Sequence, residues 1–340
     1  MKRSLFSIVI FALCAQAAPA LAEASPAAAT TIKGVRYVGV TVSDIDATLD
    51  FYGAAANYEV VKRSTRKGRS IDSALVSKRP RKVEIALIRT PTVFLKLTDF
   101  DPKNATTAPD RPVIGPGYTH ICFQSPASDS AFEKFRDAGL RMVTRGGEPV
   151  DIGGYGVVYT YGRDPDGVMI ENEVLEKPRR TEPVWVTHVA NVTPDIDRMV
   201  GFYEKILGYP AHRRIERENN EKLDAIADID NLKIAGGWFR TRNFELEIWH
   251  YARPLTPPRA APAMLDDIGY NEIAFEVGDL NAEIARLAPA GVAFLGAPQM
   301  VDGWKVAYAR DPDGNLFSLQ QNVSAGPAES IDDMRMIPAY

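Results

Sequence analysis

Apolar residues along the chain switch repeatedly between two spacings. In Trp185–Val192, WVTHVANV, nearly every position is apolar or β-branched, as expected of a strand buried on both faces. Directly after it, Ile196, Met199, Val200 and Tyr203 recur at three- and four-residue intervals, the spacing of a helix with one buried face. Thr193 as N-cap, Pro194 at the first helical position and Gly208 just past the end bracket that helix. A weaker copy runs from Val35 to Tyr52. Its strand leads to Ser43 or Asp44 as a cap, then to Ile45, Leu49 and Tyr52. Aligning the two copies sets Tyr37 opposite His188.

The same order of strand, helix and further strands occurs four times, so internal repetition outweighs any single motif. Unit one continues through strands at Val83–Ile88 and Val93–Leu97. Unit two opens on Gly117–Phe123, carries a helix from Ser128 to Ala138 and ends on Gly167–Val174. Unit three ends on Phe244–Tyr251. Unit four opens on Gly269–Phe275, has a helix over Leu280–Ala288 and closes on Asn315–Gln320. Two copies of Asp-Pro-Asp-Gly, at Asp164–Gly167 and Asp311–Gly314, each precede a final strand. The tetrapeptide alone is a turn, with Pro fixing φ at its second position and Gly at its fourth. Its recurrence in register marks a duplication, with halves 32–177 and 185–322 joined by the charged, proline-bounded linker 178–184.

Composition narrows the class without naming it. A chain of 340 residues, 45% hydrophobic and 25% charged, is an ordinary globular protein with room for two domains. Its formal charge of -4 and lack of a basic run argue against nucleic acid and leave a small molecule as the default partner. Residues 1–22 combine Lys2 and Arg3, an apolar run from Leu5 to Ala15 too short to span a bilayer, and Ala20-Leu21-Ala22 as a cleavage site. That is a secretory signal, so export to the periplasm or outside is expected, with no membrane span after its removal. Residues 23–31 form a flexible lead-in and 323–340 a C-terminal tail. Of the two cysteines, Cys14 leaves with the signal, and Cys122 alone can make no internal disulfide.

The HV-x-x-V strand, the Phe-Tyr helix, the Gly-Tyr-x-His/Glu-Ile strand and the paired turns together resemble the vicinal oxygen chelate superfamily, which includes glyoxalase I and the extradiol dioxygenases. The resemblance covers nearly all of the chain after residue 31. It implies an α+β fold of four βαβββ units forming two glyoxalase-like domains with open sheet cups, each cup built from two facing units. It also implies metal ligands on the first and last strands of a unit. The matching positions are Tyr37 and Lys96, His120 and Glu171, His188 and Glu247, and Glu272 and Ser318 in units one to four.

Chemistry then chooses the pairing. Joining neighbouring units would put an ammonium in one cup and a hydroxyl in the other, both poor company for a divalent cation. Joining units two and three collects His120, Glu171, His188 and Glu247, a donor set suited to one Zn, Ni, Co, Fe or Mn ion. Units one and four then form a metal-free cup. Single histidines in strands are more often structural than ligating, and weight comes from two falling at equivalent positions. His250 alternates away from Glu247, and His212 reads as a solvated turn. The resemblance implies a lyase, isomerase or epimerase that abstracts a proton next to a carbonyl of an oxygen-chelating substrate, with Glu171 as base and Glu247 as its counterpart. Two alternatives stand beside it. One is an Fe(II) extradiol-type dioxygenase, for which Tyr161 to Glu171 match half the signature and Ile152-Gly153-Gly154 replaces the histidine of the other half. The other is a non-catalytic binding or resistance protein. Both a monomer and a homodimer are compatible with a fused pair.

Overall fold

The computed structural model describes residues 29–102, 110–180 and 182–334. The signal segment, most of the lead-in and the last six residues of the tail lie outside the described residues. Unit one comprises β1 (Ile32–Thr41), α1 (Ile45–Ala55), β2 (Glu59–Lys67), β3 (Lys82–Arg89) and β4 (Phe94–Asp101). Unit two comprises β5 (Gly117–Pro126), α2 (Ala131–Asp137), β6 (Arg141–Met142), β7 (Val157–Arg163) and β8 (Met169–Leu175). Unit three comprises β9 (Trp185–Val192), α3 (Ile196–Leu207), β10 (Arg213–Glu218), the inserted α4 (Glu221–Ala227), β11 (Lys233–Arg240) and β12 (Glu245–Arg253). Unit four comprises β13 (Gly269–Val277), α5 (Leu280–Leu287), β14 (Gln299–Val301), β15 (Trp304–Arg310) and β16 (Leu316–Asn322). Each of the four is βαβββ, with α4 as an unforeseen addition.

The sixteen strands make two eight-stranded sheets. Their orders are β14-β15-β16-β13-β1-β4-β3-β2 and β10-β11-β12-β9-β5-β8-β7-β6. The first sheet therefore joins unit four to unit one, and the second joins unit three to unit two, so each cup takes one unit from each half. Antiparallel pairing of β5 with β9 and of β1 with β13 forms the two seams. Strand alternation sorts side chains between the faces. Ile121, Phe123, Leu246 and Ile248 enter the main core, which also holds the buried faces of α1 and α3 and residues of both sheets. The alternate positions, His120, Cys122, Glu247 and Trp249, point into the cup.

The repeated turns tie one sheet to the other. Asp164 Oδ1 accepts from the amides of Asp166 and Val168 at 3.0 and 2.9 Å, and Asp311 Oδ1 accepts from those of Asp313 and Asn315 at the same distances. Gly167 and Gly314 have φ of 79° and 84°, a region that favours glycine. The Phe-Tyr helices meet these turns across the sheets. Tyr52 donates to Asp164 Oδ2 at 3.3 Å and Tyr203 to Asp311 Oδ2 at 3.4 Å, so the aromatic pairs add a polar link to their packing role.

Two helix starts differ from expectation. The N-cap of α3 is Asp195, which accepts from the Arg198 amide at 3.1 Å, not Thr193. Pro194 therefore lies ahead of the helix and not at its first position, and the Thr193 hydroxyl accepts from the Asp195 amide at 3.2 Å. In unit two, residues 127–129 form a separate single turn and Ser130 caps α2, which therefore begins later than Ser128. Among the described residues no helix is long and apolar enough to cross a membrane.

Candidate metal centre

All four residues expected in the cup of units two and three come together there. His120 and Glu171 stand on neighbouring parallel strands β5 and β8, and His188 and Glu247 on β9 and β12. The register repeats between sheets. Glu247 lies across from Ala190, two residues past His188, just as Lys96 lies across from Gly39, two past Tyr37. Glu171 lies across from Cys122 and Ser318 from Ala274, each two past the opening residue of its unit.

His188 Nε2 lies 2.8 Å from Glu171 Oε2 and 3.4 Å from Glu247 Oε2, and His120 Nε2 lies 3.5 Å from Glu171 Oε2. Donor atoms of His120, His188 and Glu247 fall within 4.8 Å of one another. Each imidazole is oriented from behind by the preceding threonine: His120 Nδ1 is 3.2 Å from Thr119 Oγ1, and His188 Nδ1 is 3.1 Å from Thr187 Oγ1. With Nδ1–H donating to the hydroxyl, the Nε2 lone pair faces the centre of the quartet. The Thr-His dipeptide repeats in the sequence, and that repetition is the signal for a role we did not assign to the threonines.

Glu247 is clamped from the other side. Trp238 Nε1 donates to its Oε1, and Trp249 Nε1 donates to its Oε2 at 2.8 Å. The two indoles meet edge to face, with centroids 4.9 Å apart. Tyr161 packs its ring 4.9 Å from that of His120, and Val192 and Tyr251 join Tyr161 in an apolar wall over the quartet. The inserted α4 closes this side. Thr144 Oγ1 donates to the Ile226 carbonyl at 3.1 Å, while Arg145 pairs with Asp228 and Asp230 just beyond the helix.

The buried carboxylates shift the groups around them. Burial opposes the charge on His188, but Glu247 and Glu171 outweigh it and push His188 up to about 10. Burial likewise works to raise Glu171, yet the neighbouring imidazoles of His120 and His188, 3.5 and 2.8 Å away, hold it well below the usual carboxylate range. Glu173 is pushed up to about 8, by burial and then by the neighbouring Glu171 charge. Sequence reasoning missed Glu173, which strand alternation alone places on the cup face two residues past Glu171. Cys122 lies in the same cluster, its thiol raised by burial and by the carboxylates around it. The residues present fit a divalent ion, and the decisive observation is His120 Nε2, a buried ring nitrogen aimed at the other donors with no hydrogen-bond partner. His250 stays outside, its Nδ1 3.0 Å from the Thr193 carbonyl oxygen, and His212 sits exposed in a bend.

In the other cup, Lys96 Nζ donates to Glu272 at 2.7 Å and to the Tyr37 hydroxyl at 2.8 Å. Tyr37 and Ser318 also donate to Glu272, at 2.9 and 2.6 Å. A side-chain ammonium thus stands among the positions equivalent to the quartet.

The sequence model of the family described as Glyoxalase/Bleomycin resistance protein/Dioxygenase superfamily matches residues 34–172 and 185–319. Lactoylglutathione lyase GLX1 of Arabidopsis thaliana is 26% identical over 181 residues, 53% of this chain and 56% of that protein. The 2-epi-5-epi-valiolone epimerase of Actinomyces sp is 26% identical over 162 residues, 45% of this chain and 87% of that protein. The match to the Arabidopsis lyase spans only about half of either chain. Glyoxalase I from Zea mays superposes with a TM-score of 0.56 at 20% identity, covering 85% of this chain and 92% of the maize one. A putative dioxygenase from Bacillus subtilis superposes at 0.57 and 12% identity, covering 91% and 93%. At these identities the two likenesses show the fold. The two curated relatives are enzymes, and the donor cluster supports a divalent metal.

Proposed function

Because the chain belongs to the glyoxalase/bleomycin resistance protein/dioxygenase superfamily, we propose that it is an exported, metal-dependent lyase, isomerase or epimerase. It takes a proton from the carbon next to a carbonyl of a small oxygen-chelating substrate. The observation that carries this reading is that His188 Nε2 lies 2.8 Å from Glu171 and 3.4 Å from Glu247, with His120 Nε2 3.5 Å from Glu171 and without a hydrogen-bond partner. A divalent ion bound there supplies Lewis-acid stabilisation for negative charge developing on substrate oxygen.

The chain's own groups divide the rest of the work. The two threonines fix both imidazoles, and the two indoles fix Glu247. Among the described residues the one hydrogen bond of the Glu171 side chain is to His188, with His120 3.5 Å away and no indole holding it, so Glu171 is the carboxylate assigned to accept the substrate proton, with Glu247 as its fixed counterpart. The apolar wall of Tyr161, Val192 and Tyr251 excludes water from that transfer. Export rests on the charge and apolar pattern of residues 1–22.

Metal analysis of purified protein, followed by solvent deuterium exchange into candidate carbonyl compounds, tests the reading. One ion per chain is expected, lost in His188→Ala and in His120→Ala, with exchange abolished in Glu171→Gln. Two ions per chain, or metal content indifferent to both histidine variants, refutes the site. Ring cleavage of a catechol by the Fe(II)-loaded protein replaces the reaction with a dioxygenase. Tight binding without turnover by metal-free protein replaces it with a binding function.

A further inference from the structure

In the cup of units one and four the Glu272 carboxylate is compensated, but a donor and a positive charge above it are not. Beside Lys96 lies a cavity of about 100 Å³ whose walls include Leu87, Phe100, Trp304, Val306 and Tyr308. An apolar cavity of about 150 Å³ holds benzene, so this one suits a body of a few carbon atoms. Trp304 Nε1 is buried and has no hydrogen-bond partner. An indole N–H can only donate, and a buried donor left without an acceptor calls for an explanation. The fold itself does not require this indole: counted from the two Asp-Pro-Asp-Gly turns, Trp304 takes the place that Val157 holds in unit two. The Arg36 guanidinium lies 3.7 Å from the centre of the Trp304 ring. Tyr37, 5.3 Å from that guanidinium and 4.3 Å from Lys96 Nζ, links the indole to the ammonium. With Glu272 and Tyr37 as acceptors, Lys96 keeps one N–H unspent.

The charges around the cavity do not balance. Acidic residues outnumber basic ones 44 to 40 in the chain, yet four cations, Arg36, Lys62, Arg66 and Lys96, line this space. Against them stand Asp302 and Glu329 on the lining and Glu272 at Lys96, so four minus three leaves one positive charge. Glu276, whose charge also reaches Arg36, is matched by Lys33 at 3.3 Å. Two partly exposed ion pairs form the mouth. The turn between β14 and β15, Asp302-Gly303, has φ of 50° and 84°, the two positive values of a tight hairpin turn. It holds Asp302 against Arg66 and 3.8 Å from Lys62. From the C-terminal tail, Glu329 accepts from Lys62 at 3.0 Å, and its carbonyl accepts from Arg36 Nε at 3.1 Å. The tail is thus a wall of this cup.

We propose that the cup of units one and four is a second ligand site, which binds a short-chain organic carboxylate without a metal. The carboxylate accepts from Trp304 Nε1 and is compensated by the surplus charge of the four cations, while its carbon body lies against Leu87 and Val306. This site stands independently of the function proposed above. It gives the duplicated cup a use after its donor set was lost.

Titration of the Zn-loaded protein with propionate, propionamide and inorganic phosphate, followed through the indole N–H resonances by NMR, tests it. Trp304→Phe identifies the Trp304 resonance. Propionate should move that resonance downfield and saturably, at least tenfold tighter than its neutral isostere propionamide. The double change Lys62→Gln with Arg66→Gln, at the partly exposed mouth, should weaken binding at least tenfold while the other indole resonances stay in place. Trp304→Phe, followed through broadening of the propionate methyl signal, should also bind more weakly, at least fivefold. His188→Ala should bind propionate as the wild type does, whatever becomes of its metal. Propionamide or inorganic phosphate binding as tightly as propionate, or affinity within twofold in the double variant, overturns the proposal. A Trp304 resonance that never moves overturns it too and leaves water as the indole's partner, and a shift confined to Trp238 and Trp249 places the acid in the other cup instead.

Discussion

Replacing Trp238 with phenylalanine tests whether the clamp on Glu247 serves a metal site. The substitution keeps an aromatic ring against Trp249 and under the Arg213 guanidinium, 3.8 Å from the present ring centroid, and removes the N–H that donates to Glu247 Oε1. Glu247 keeps the Trp249 donor on Oε2 but is freed to rotate. A hydrogen bond to a charged group contributes about 1.5–3 kcal/mol. Loss of a group that orients a metal ligand costs roughly 10–100-fold in affinity, or about 1.4–2.8 kcal/mol, so the two scales agree. The measurement is competition with a chromogenic chelator for the ion the protein carries on purification. Trp304→Phe is the matched control. That indole is also buried, lies in the other cup, and its Nε1 has no hydrogen-bond partner. Both variants lose stability through the smaller ring, but only Trp238→Phe should lose metal. Affinity within twofold of wild type in Trp238→Phe, or an equal loss in both variants, refutes the reasoning.

Thr187→Val should also weaken the ion roughly tenfold or more in the same competition, because His188 Nδ1 loses its partner; unchanged affinity would remove the threonine from the site. In the other cup, Lys96→Met strands the fully buried Glu272 charge and should cost about 3–5 kcal/mol in denaturant unfolding. Lys96→Met with Glu272→Gln should cost less than that single change, and an additive loss would show the pair to be uncoupled. Burial raises Asp164 from 3.8 to about 7, so the folded state keeps a proton that the unfolded chain releases between those values. Its contribution is therefore fully present below about pH 4 and is lost as pH rises through 7, by up to about 4 kcal/mol. Asp164→Asn should remove that slope, and its stability relative to wild type should improve from pH 5 to pH 7.5; parallel profiles would refute it.

Much of this architecture was legible because duplication wrote it four times. The opening strands, the Phe-Tyr helices and the two Asp-Pro-Asp-Gly turns each carry a local reason for their residues, and repetition separated that signal from chance. The pairing of units was legible for a different reason: Lys96 and Ser318 are chemically unlike Glu247 and Glu171, so donor chemistry could exclude the neighbouring arrangement, and the strand orders agree. What stayed hidden depends on register between distant strands. Trp238 reaches Glu247 because β11 and β12 set those two residues directly opposite each other. No spacing in the chain encodes that pairing. The α4 insertion follows a charged strand and has little apolar periodicity of its own, so its place over the cup comes from tertiary contacts. Thr193 shows the limit of a local rule, since Thr193 and Asp195 are both favoured cap residues and the cap falls to Asp195.

The two cups answer the same electrostatic problem in different ways. A carboxylate enclosed by a sheet must be compensated, because an unpaired buried charge costs several kcal/mol. In the cup of units one and four the chain supplies the compensation itself: one carboxylate, Glu272, meets one ammonium, Lys96, and the hydroxyls of Tyr37 and Ser318 fill its remaining acceptor sites. That cup is internally complete. In the cup of units two and three, Glu171 and Glu247 face two imidazoles, and His120 Nε2 is left over. With both imidazoles neutral, two carboxylates stand uncompensated and one ring nitrogen lacks a partner, a combination that a divalent ion would satisfy. An ammonium already held by Glu272 and Tyr37 offers at most one further N–H, whereas an ion with open positions can take both oxygens of a chelating substrate. The substitution of Lys96 for the residue equivalent to Glu247 therefore does more than silence one cup. It confines the proposed chemistry to the sheet that carries His120, Glu171, His188 and Glu247, so a substrate meets a single reactive centre.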